Sequence, residues 1–195
     1  MDLNTLKQFN WVDIFIVLLF VRICFVAAKT GIAAEFFKIL GTLVGLYLSL
    51  HYYTFVSDWF IKSILSLEDK VPLAFLDFVF FVLLAVAGYV VFALVRTAFD
   101  RLIKMQAVAS LNKWGGFFLG IGRGILLVGM VVFTLAISSI SYLRLSAQRS
   151  YLGARAFEIA PATYRWMWDV LASKFFPGEK FNDTVREVQE SFQKQ

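Results

Sequence analysis

The stretch WGGFFLGIGRGILL, residues 114–127, holds five glycines and one arginine within an otherwise apolar run. Such a composition fits either a glycine-rich phosphate-binding loop or a membrane helix whose small face packs closely and shelters the charge. A phosphate-binding loop follows a β-strand and ends in Gly-Lys with a Ser or Thr after it. Neither signal surrounds this stretch. The sequence therefore predicts a membrane helix here.

The composition of the whole chain also favours a membrane protein. Of its 195 residues, 59% are hydrophobic, including 22 Phe and 5 Trp, and the mean hydropathy of +0.72 is high for a soluble domain. Four apolar blocks approach or reach the roughly 20 residues that a helix needs to cross a hydrocarbon core about 30 Å thick. We therefore predict an all-α, polytopic membrane protein with four transmembrane helices and an amphipathic C-terminal helical region.

The apolar blocks divide the chain into two regions. A four-helix membrane region covers residues 1–137, with spans at 13–28, 31–53, 71–95 and 114–137. Asp13 and Arg22 interrupt the first block, which favours a retained helix over a cleaved signal peptide. So few residues separate the first two blocks that we predict an antiparallel hairpin. Residues 96–113 predict a short basic amphipathic helix at the lipid headgroups.

The second region, residues 138–195, is predicted to form an amphipathic interfacial helix followed by a polar tail. In PATYRWMWDVLASKFF, residues 161–176, large apolar side chains recur on one helical face: Tyr164, Met167, Trp168, Leu171 and Phe175. Trp and Tyr prefer the bilayer boundary. This segment is therefore expected to lie on the membrane or on the helix bundle, with a partner-binding helix as the alternative.

A helical projection of residues 114–127, at about 100° per residue, places Arg123 beside the GxxxG stripe of Gly116, Gly120 and Gly124. Small residues at every fourth position let two membrane helices approach closely. We therefore expect Arg123 to face protein rather than lipid. A second stripe of small and polar residues runs along the next apolar helix: Gly31, Glu35, Lys38, Thr42, Gly45 and Ser49.

The helical rise predicts two intramembrane ion pairs. Glu35 and Arg123 lie about 6 Å and 13 Å from one surface, a difference that a guanidinium can span. Arg22 and Asp77 lie about 12 Å and 9 Å from the opposite surface. Charges inside a membrane are candidates for function by default. The alternatives are structural packing for Arg123, snorkelling for Asp77 and Lys38, and a local bridge from Lys38 to Glu35.

Other polar residues receive simpler interpretations. Asp13 suits the positive end of the first helix dipole. His51 is interpreted as an interfacial residue, with a proton relay as the alternative. Cys24 has no partner for an intrachain disulfide and is interpreted as apolar packing.

The composition does not indicate an enzyme or a nucleic-acid-binding protein. The chain has one His and one Cys, too few for a His/Cys metal site, so we predict a non-enzymatic protein without a cofactor. Basic residues that flank membrane helices account for the net charge of +5, so a nucleic-acid partner is not expected.

The order of these motifs resembles the colicin V production (CvpA) family of bacterial inner-membrane proteins. The resemblance covers residues 12–161 and includes VDIFIVLLF at the start and HYYTFVSDWF after the second block. Ser150 and Pro161 are similar to a serine and a proline in the tail of the family. The family commonly has a Gly about five positions before the one matching Gly31, often with an Arg just before Gly31, where Val26, Ala27 and Thr30 stand here.

The resemblance implies a multi-pass protein of the bacterial inner membrane that supports toxin production or export and envelope homeostasis, with no established catalytic activity. We expect it to act in the lipid bilayer through helix packing, as a homo-oligomer or with other membrane proteins. The alternative is a small channel or transporter lined by the polar stripe of the second helix. The candidate functional or packing residues are Asp13, Gly31, Glu35, Gly116, Gly120, Arg123, Gly124 and Ser150.

Overall fold

Four long helices form the membrane-spanning part of the chain. The computed structural model describes residues 10–63, 71–102 and 109–194. The long helices are α1 (Trp11–Thr30), α2 (Ile32–Ser63), α3 (Leu73–Leu102) and α4 (Ala109–Ile137). Each is long and apolar enough to cross a membrane. The predicted class, an all-α protein with four transmembrane helices, is confirmed.

Three of these helices are longer than the hydrocarbon core of a bilayer is thick. α2, α3 and α4 contain 32, 30 and 29 residues, which corresponds to about 43–48 Å of helix against about 30 Å of hydrocarbon. Hydropathy detects only their apolar parts, so residues 54–63, which lie beyond the predicted span 31–53, continue α2. The basic amphipathic helix predicted at 96–113 is also wrong at its ends: residues 96–102 belong to α3 and residues 109–113 to α4. Residues 103–108 lie outside the described ranges.

The first helix has a defined beginning and end. At its beginning, the side chain of Asn10 accepts a hydrogen bond from the Val12 amide at 2.8 Å, and Asp13 accepts one from the Asn10 amide at 2.8 Å. At its end, Gly31 has a φ of +85°, a conformation that side chains with a Cβ rarely adopt. A Cβ there would also lie 2.5 Å from Oδ1 of Asn112. Both the backbone and α4 therefore require glycine at this turn.

The first two helices are consecutive in the chain but are not packing partners. α2 packs mainly on α3, and α1 packs mainly on α4, which also contacts α2, whereas α1 and α2 make few contacts with each other. The predicted hairpin of the first two helices is therefore wrong. Small residues explain the outcome: a Cβ on Gly88 of α3 would lie 2.5 Å from the Cα of Gly45 of α2, a backbone approach that only glycine allows.

Shorter helices cover one end of the bundle. In the described part of the chain they are α5 (Ser141–Arg149), α6 (Tyr151–Ala156), α7 (Ile159–Met167), α8 (Ser173–Phe175) and α9 (Thr184–Gln193), with a π-helical turn at Trp168–Ala172. Stacked aromatic rings hold them to the bundle. The ring of Phe157 lies 5.7 Å from that of Phe133 in α4 and 3.9 Å from that of Phe192 in α9.

This C-terminal region differs from its prediction in two ways. The expected polar tail contains α9, whose Val185 and Phe192 are buried in the core because a few apolar residues at helical spacing suffice to dock a polar helix. The predicted apolar face of residues 161–176 is divided by the π-helical turn. Tyr164 is buried on the bundle, whereas Leu171 and Phe175 are exposed.

Two neighbouring glycines of α4 test the packing of α4 on α1. A Cβ at Gly120 would overlap the Cβ of Ala27, whereas a Cβ at Gly122 would lie at an ordinary 3.4 Å from Ile39. We expect Gly120→Ala to lower the free energy of unfolding in detergent by about 1–3 kcal/mol, as overpacking does. Gly122→Ala is the control and should leave it unchanged or raise it, since alanine favours a helix. Equal effects of the two substitutions would contradict this packing.

Candidate functional site

A buried ion-pair cluster joins α1, α2 and α4. Glu35 is 0% and Arg123 is 7% exposed, and Nε of Arg123 donates to Oε2 of Glu35 at 2.9 Å. The other carboxylate oxygen, Oε1, accepts from Nζ of Lys38 and from the hydroxyl of Thr30, both at 2.6 Å. We call these four residues the Glu35 cluster. It places two cations around one buried carboxylate.

Local sequence positions each member of the Glu35 cluster. The turn at Gly31 brings Thr30, the last residue of α1, next to the first turn of α2, where Glu35 lies. A carboxylate in the first turn also benefits from the positive end of the helix dipole. Lys38 is one turn further along α2 and reaches back to the same carboxylate.

Glycines bring α4 close to this cluster through its contact with α1. A Cβ on Gly116 would lie 2.7 Å from the carbonyl oxygen of Ala27, and one on Gly124 would lie 2.9 Å from the ring of Phe20. The glycine stripe therefore packs on α1 and not on the acidic helix α2. Arg123 reaches sideways from that contact to Glu35.

The structure brings Glu35 and Arg123 together but leaves the second predicted pair apart. Asp77 of α3 accepts a hydrogen bond from the hydroxyl of Ser57 in α2, and Arg22 is exposed on α1. Among the described residues, Arg22 and Asp77 form no ion pair. A similar depth in the membrane does not bring these two side chains together, because α1 packs on α4 while α3 packs on α2.

Asp13 and Ser150, predicted as separate candidates, meet in the fold. Both are buried, and the hydroxyl of Ser150 donates to Oδ1 of Asp13 at 2.8 Å. The amide of Leu152 donates to the same oxygen at 2.7 Å. Asp13 therefore does more than begin α1, since it also fixes the start of α6. Nothing local in the sequence signals a contact across 137 positions.

His51, which is itself buried, lies in a second polar cluster that sequence reasoning missed. Its Nδ1 lies 2.7 Å from the hydroxyl of Tyr164, and its Nε2 bonds to the carboxylate of Glu179. The hydroxyl of Tyr52 donates to Oε1 of Glu179 at 2.6 Å, and the ring of Trp168 stacks 5.5 Å from that of His51. His51 is therefore buried against the C-terminal region instead of lying free at the interface.

The C-terminal members of this second cluster have shifted pKa values. Hydrogen bonds from Tyr52 and His51 hold the pKa of Glu179 below its ordinary value, against a smaller opposing effect of burial. Burial raises the pKa of Tyr164 above its ordinary value. Tyr164 therefore stays neutral, and Glu179 stays ionised over the physiological range.

The polar stripe of α2 is packed against protein. Thr42 and Ser49 are buried, and their hydroxyls donate to the backbone carbonyls of Lys38 and Leu46 at 2.8 Å and 3.1 Å. Gly45 contacts α3, since a Cβ there would lie 2.6 Å from the carbonyl oxygen of Ala85. Within the ranges that the structure describes, no group of three or more His, Cys, Asp or Glu residues is placed to hold a metal ion.

Together, the four spans and the buried ion pair between α2 and α4 define a polytopic α-helical membrane protein with a charged contact inside its bundle. The chain belongs to the family described as colicin V production protein, whose family model matches residues 12–158. This match confirms the resemblance seen in the sequence. It contains the Glu35 cluster and the pair of Asp13 and Ser150, and it ends before Tyr164 and Glu179. No curated protein and no solved structure gives a significant match.

Removing either partner of the buried pair should destabilise the protein, but to different extents. Glu35→Gln leaves two cations without their carboxylate, whereas after Arg123→Leu the carboxylate keeps Lys38. We expect Glu35→Gln to lower the free energy of unfolding by about 3–5 kcal/mol, and Arg123→Leu to lower it by less. Denaturant titration of the purified protein in detergent measures both. Arg22→Leu is the control and should not destabilise, because Arg22 is exposed.

The ionised carboxylate of Glu179 should make attachment of the C-terminal region depend on pH. Because the folded pKa is depressed, its contribution is fully present above the ordinary carboxyl value of 4.5 and is lost as the pH falls through the lower folded value. The difference in unfolding free energy between the wild type and Glu179→Gln should therefore shrink between pH 6 and about pH 3. Glu190→Gln, at an exposed pair, is the control. A difference that stays constant with pH would refute this role of Glu179.

Proposed function

We propose that the chain is a non-enzymatic protein of the bacterial inner membrane that supports production or export of a colicin V-like toxin and envelope homeostasis by assembling with other membrane helices. Membership of the colicin V production family supports the role in toxin production. The proposed mode of action, assembly, rests on the outer surface of α1.

Arg22 on that surface is the observation that carries the proposal. It is exposed on α1 between the exposed apolar side chains of Leu18, Val21 and Phe25. It lies about 12 Å from the end of α1 and about 16 Å from its beginning. An unpaired charge near the centre of a span costs about 2.5–3.5 kcal/mol. A carboxylate at the same depth on a neighbouring span would remove that cost.

The partner that fits Arg22 best is a different membrane protein. Three carboxylates of the described spans are already engaged: Asp13 and Glu35 are fully buried in hydrogen-bonded clusters, and Asp77 is bonded to Ser57. A fourth, Asp58, is exposed, but it lies about 39 Å along α2 from the Gly31 turn, far from the depth of Arg22. A second copy of the chain could therefore offer Arg22 a carboxylate at a similar depth only by breaking one of the first three contacts. A span of another protein that carries an Asp or Glu needs no such rearrangement.

Toxin release from a colicin V-producing strain that lacks its own family member tests the proposal. We expect the wild-type chain to restore release and Arg22→Leu to reduce it at least about tenfold, because the pair is lost. Arg22→Lys should retain part of the activity, and Leu18→Ala, on the same face, is the control. Membrane levels of all variants are compared by immunoblot.

Two outcomes would contradict different parts of the proposal. Full release by Arg22→Leu would reject assembly through Arg22 but not the role in toxin production. Failure of the wild type to restore release, while present in the membrane, would reject that role. Ion flux through reconstituted vesicles that Glu35→Gln abolishes would favour a channel instead, although the closed packing of Thr42 and Ser49 predicts no flux.

A further inference from the structure

An apolar groove lies on the lipid-facing side of the contact between α1 and α4. Its volume is about 230 Å³, and its walls include Ile16 and Phe20 of α1 and Ile125 and Val128 of α4. The C-terminal region closes one end, where Arg155 of α6 is the charged residue of the lining. The groove is therefore apolar along its walls and cationic at one end.

The position of the groove fits a membrane boundary. Ile16 and Phe20 lie about 8 Å and 14 Å from the beginning of α1, which is within the hydrocarbon thickness. Arg155 is held near that beginning, because Asp13 in the first turn of α1 accepts hydrogen bonds from Ser150 and Leu152 at the start of α6. The apolar walls thus extend into the bilayer, and the cation lies at its edge.

Arg155 is oriented without being neutralised. Its guanidinium carbon lies 3.7 Å from the ring centroid of Tyr151, and its Nη1 donates to the carbonyl oxygen of Tyr151 at 3.3 Å. Arg155 is exposed, and among the described residues it forms no ion pair with a carboxylate. An arginine held this way can form paired hydrogen bonds with a phosphate.

We propose that this groove binds one acyl chain of an anionic glycerophospholipid, with the lipid phosphate bound by Arg155. The apolar walls match the chain, and the cation at the boundary matches a headgroup of net negative charge. A zwitterionic lipid offers the same phosphate, but its ammonium group brings a second cation close to Arg155, which like-charge repulsion disfavours. A larger crevice of about 710 Å³ between α2 and α4 provides the contrast, since it is lined by apolar side chains such as Phe36, Phe118 and Leu119. Among the described residues, no charged side chain lines that crevice, so its lining does not discriminate between headgroups. Selection for anionic lipid is therefore assigned to the groove at Arg155, independently of any role in toxin production.

Native mass spectrometry of the full-length protein tests this assignment. The detergent-purified protein is mixed with equal amounts of dioleoyl-phosphatidylglycerol or dioleoyl-phosphatidylcholine, which share acyl chains and differ in headgroup charge. We expect one phosphatidylglycerol to be retained in preference to phosphatidylcholine. Arg155→Gln should weaken phosphatidylglycerol binding about fivefold and remove the preference. Arg165→Gln, at an exposed arginine bonded to Gln189, is the control and should retain the preference for phosphatidylglycerol.

A matched pair of substitutions on α4 tests the acyl-chain part of the site. Ile125→Trp fills the groove and should reduce retention of the first phosphatidylglycerol, whereas Leu119→Trp fills the other crevice and should not change the preference. Circular dichroism melting confirms that all variants remain folded. Equal retention of the two lipids by the wild type, unchanged phosphatidylglycerol binding by Arg155→Gln, or no effect of Ile125→Trp would each overturn the proposal.

Discussion

The hydrogen-bonded ion pair between Arg123 and Glu35 is the interaction on which the membrane region depends. A carboxylate with no exposed surface is tolerable inside a membrane only when its charge is neutralised and its oxygens accept hydrogen bonds. Side chains from three helices meet that condition by donating to the carboxylate of Glu35: Thr30 at the end of α1, Lys38 on α2 and Arg123 on α4. The positions of three spans relative to one another are thus tied to a single side chain.

Small residues determine which helices can meet around that pair. Gly116 and Gly120 let α4 approach α1, and Gly45 with Gly88 lets α2 approach α3. In lipid, helices gain little from hydrophobic burial against each other, so close backbone packing decides the arrangement. The short connection at Gly31 joins α1 and α2 in the chain without making them packing partners, and α4 provides the surface that both of them share.

Sequence reasoning predicts the features that depend on the helical periodicity of the side chains and on their depth in the membrane. Hydropathy locates the four spans, and the helical rise places Glu35 near Arg123. The same arithmetic fails for Arg22 and Asp77, because depth says nothing about which helices are neighbours. Contacts of Asp13 with Ser150, and of His51 with Glu179, join positions more than 100 residues apart. Only the packing of the C-terminal region on the bundle brings them together, and no local pattern encodes that packing.

The Glu35 cluster also has an electrical consequence. It combines two basic side chains with one acidic side chain, so its formal charge is one surplus positive charge within the bilayer, nearer to the end where Gly31 joins α1 to α2. A voltage of 100 mV across the whole membrane corresponds to about 2.3 kcal/mol per elementary charge, and the cluster experiences part of it. The Glu35 cluster taken by itself therefore contributes a preference for the insertion in which the Gly31 turn faces the negative compartment.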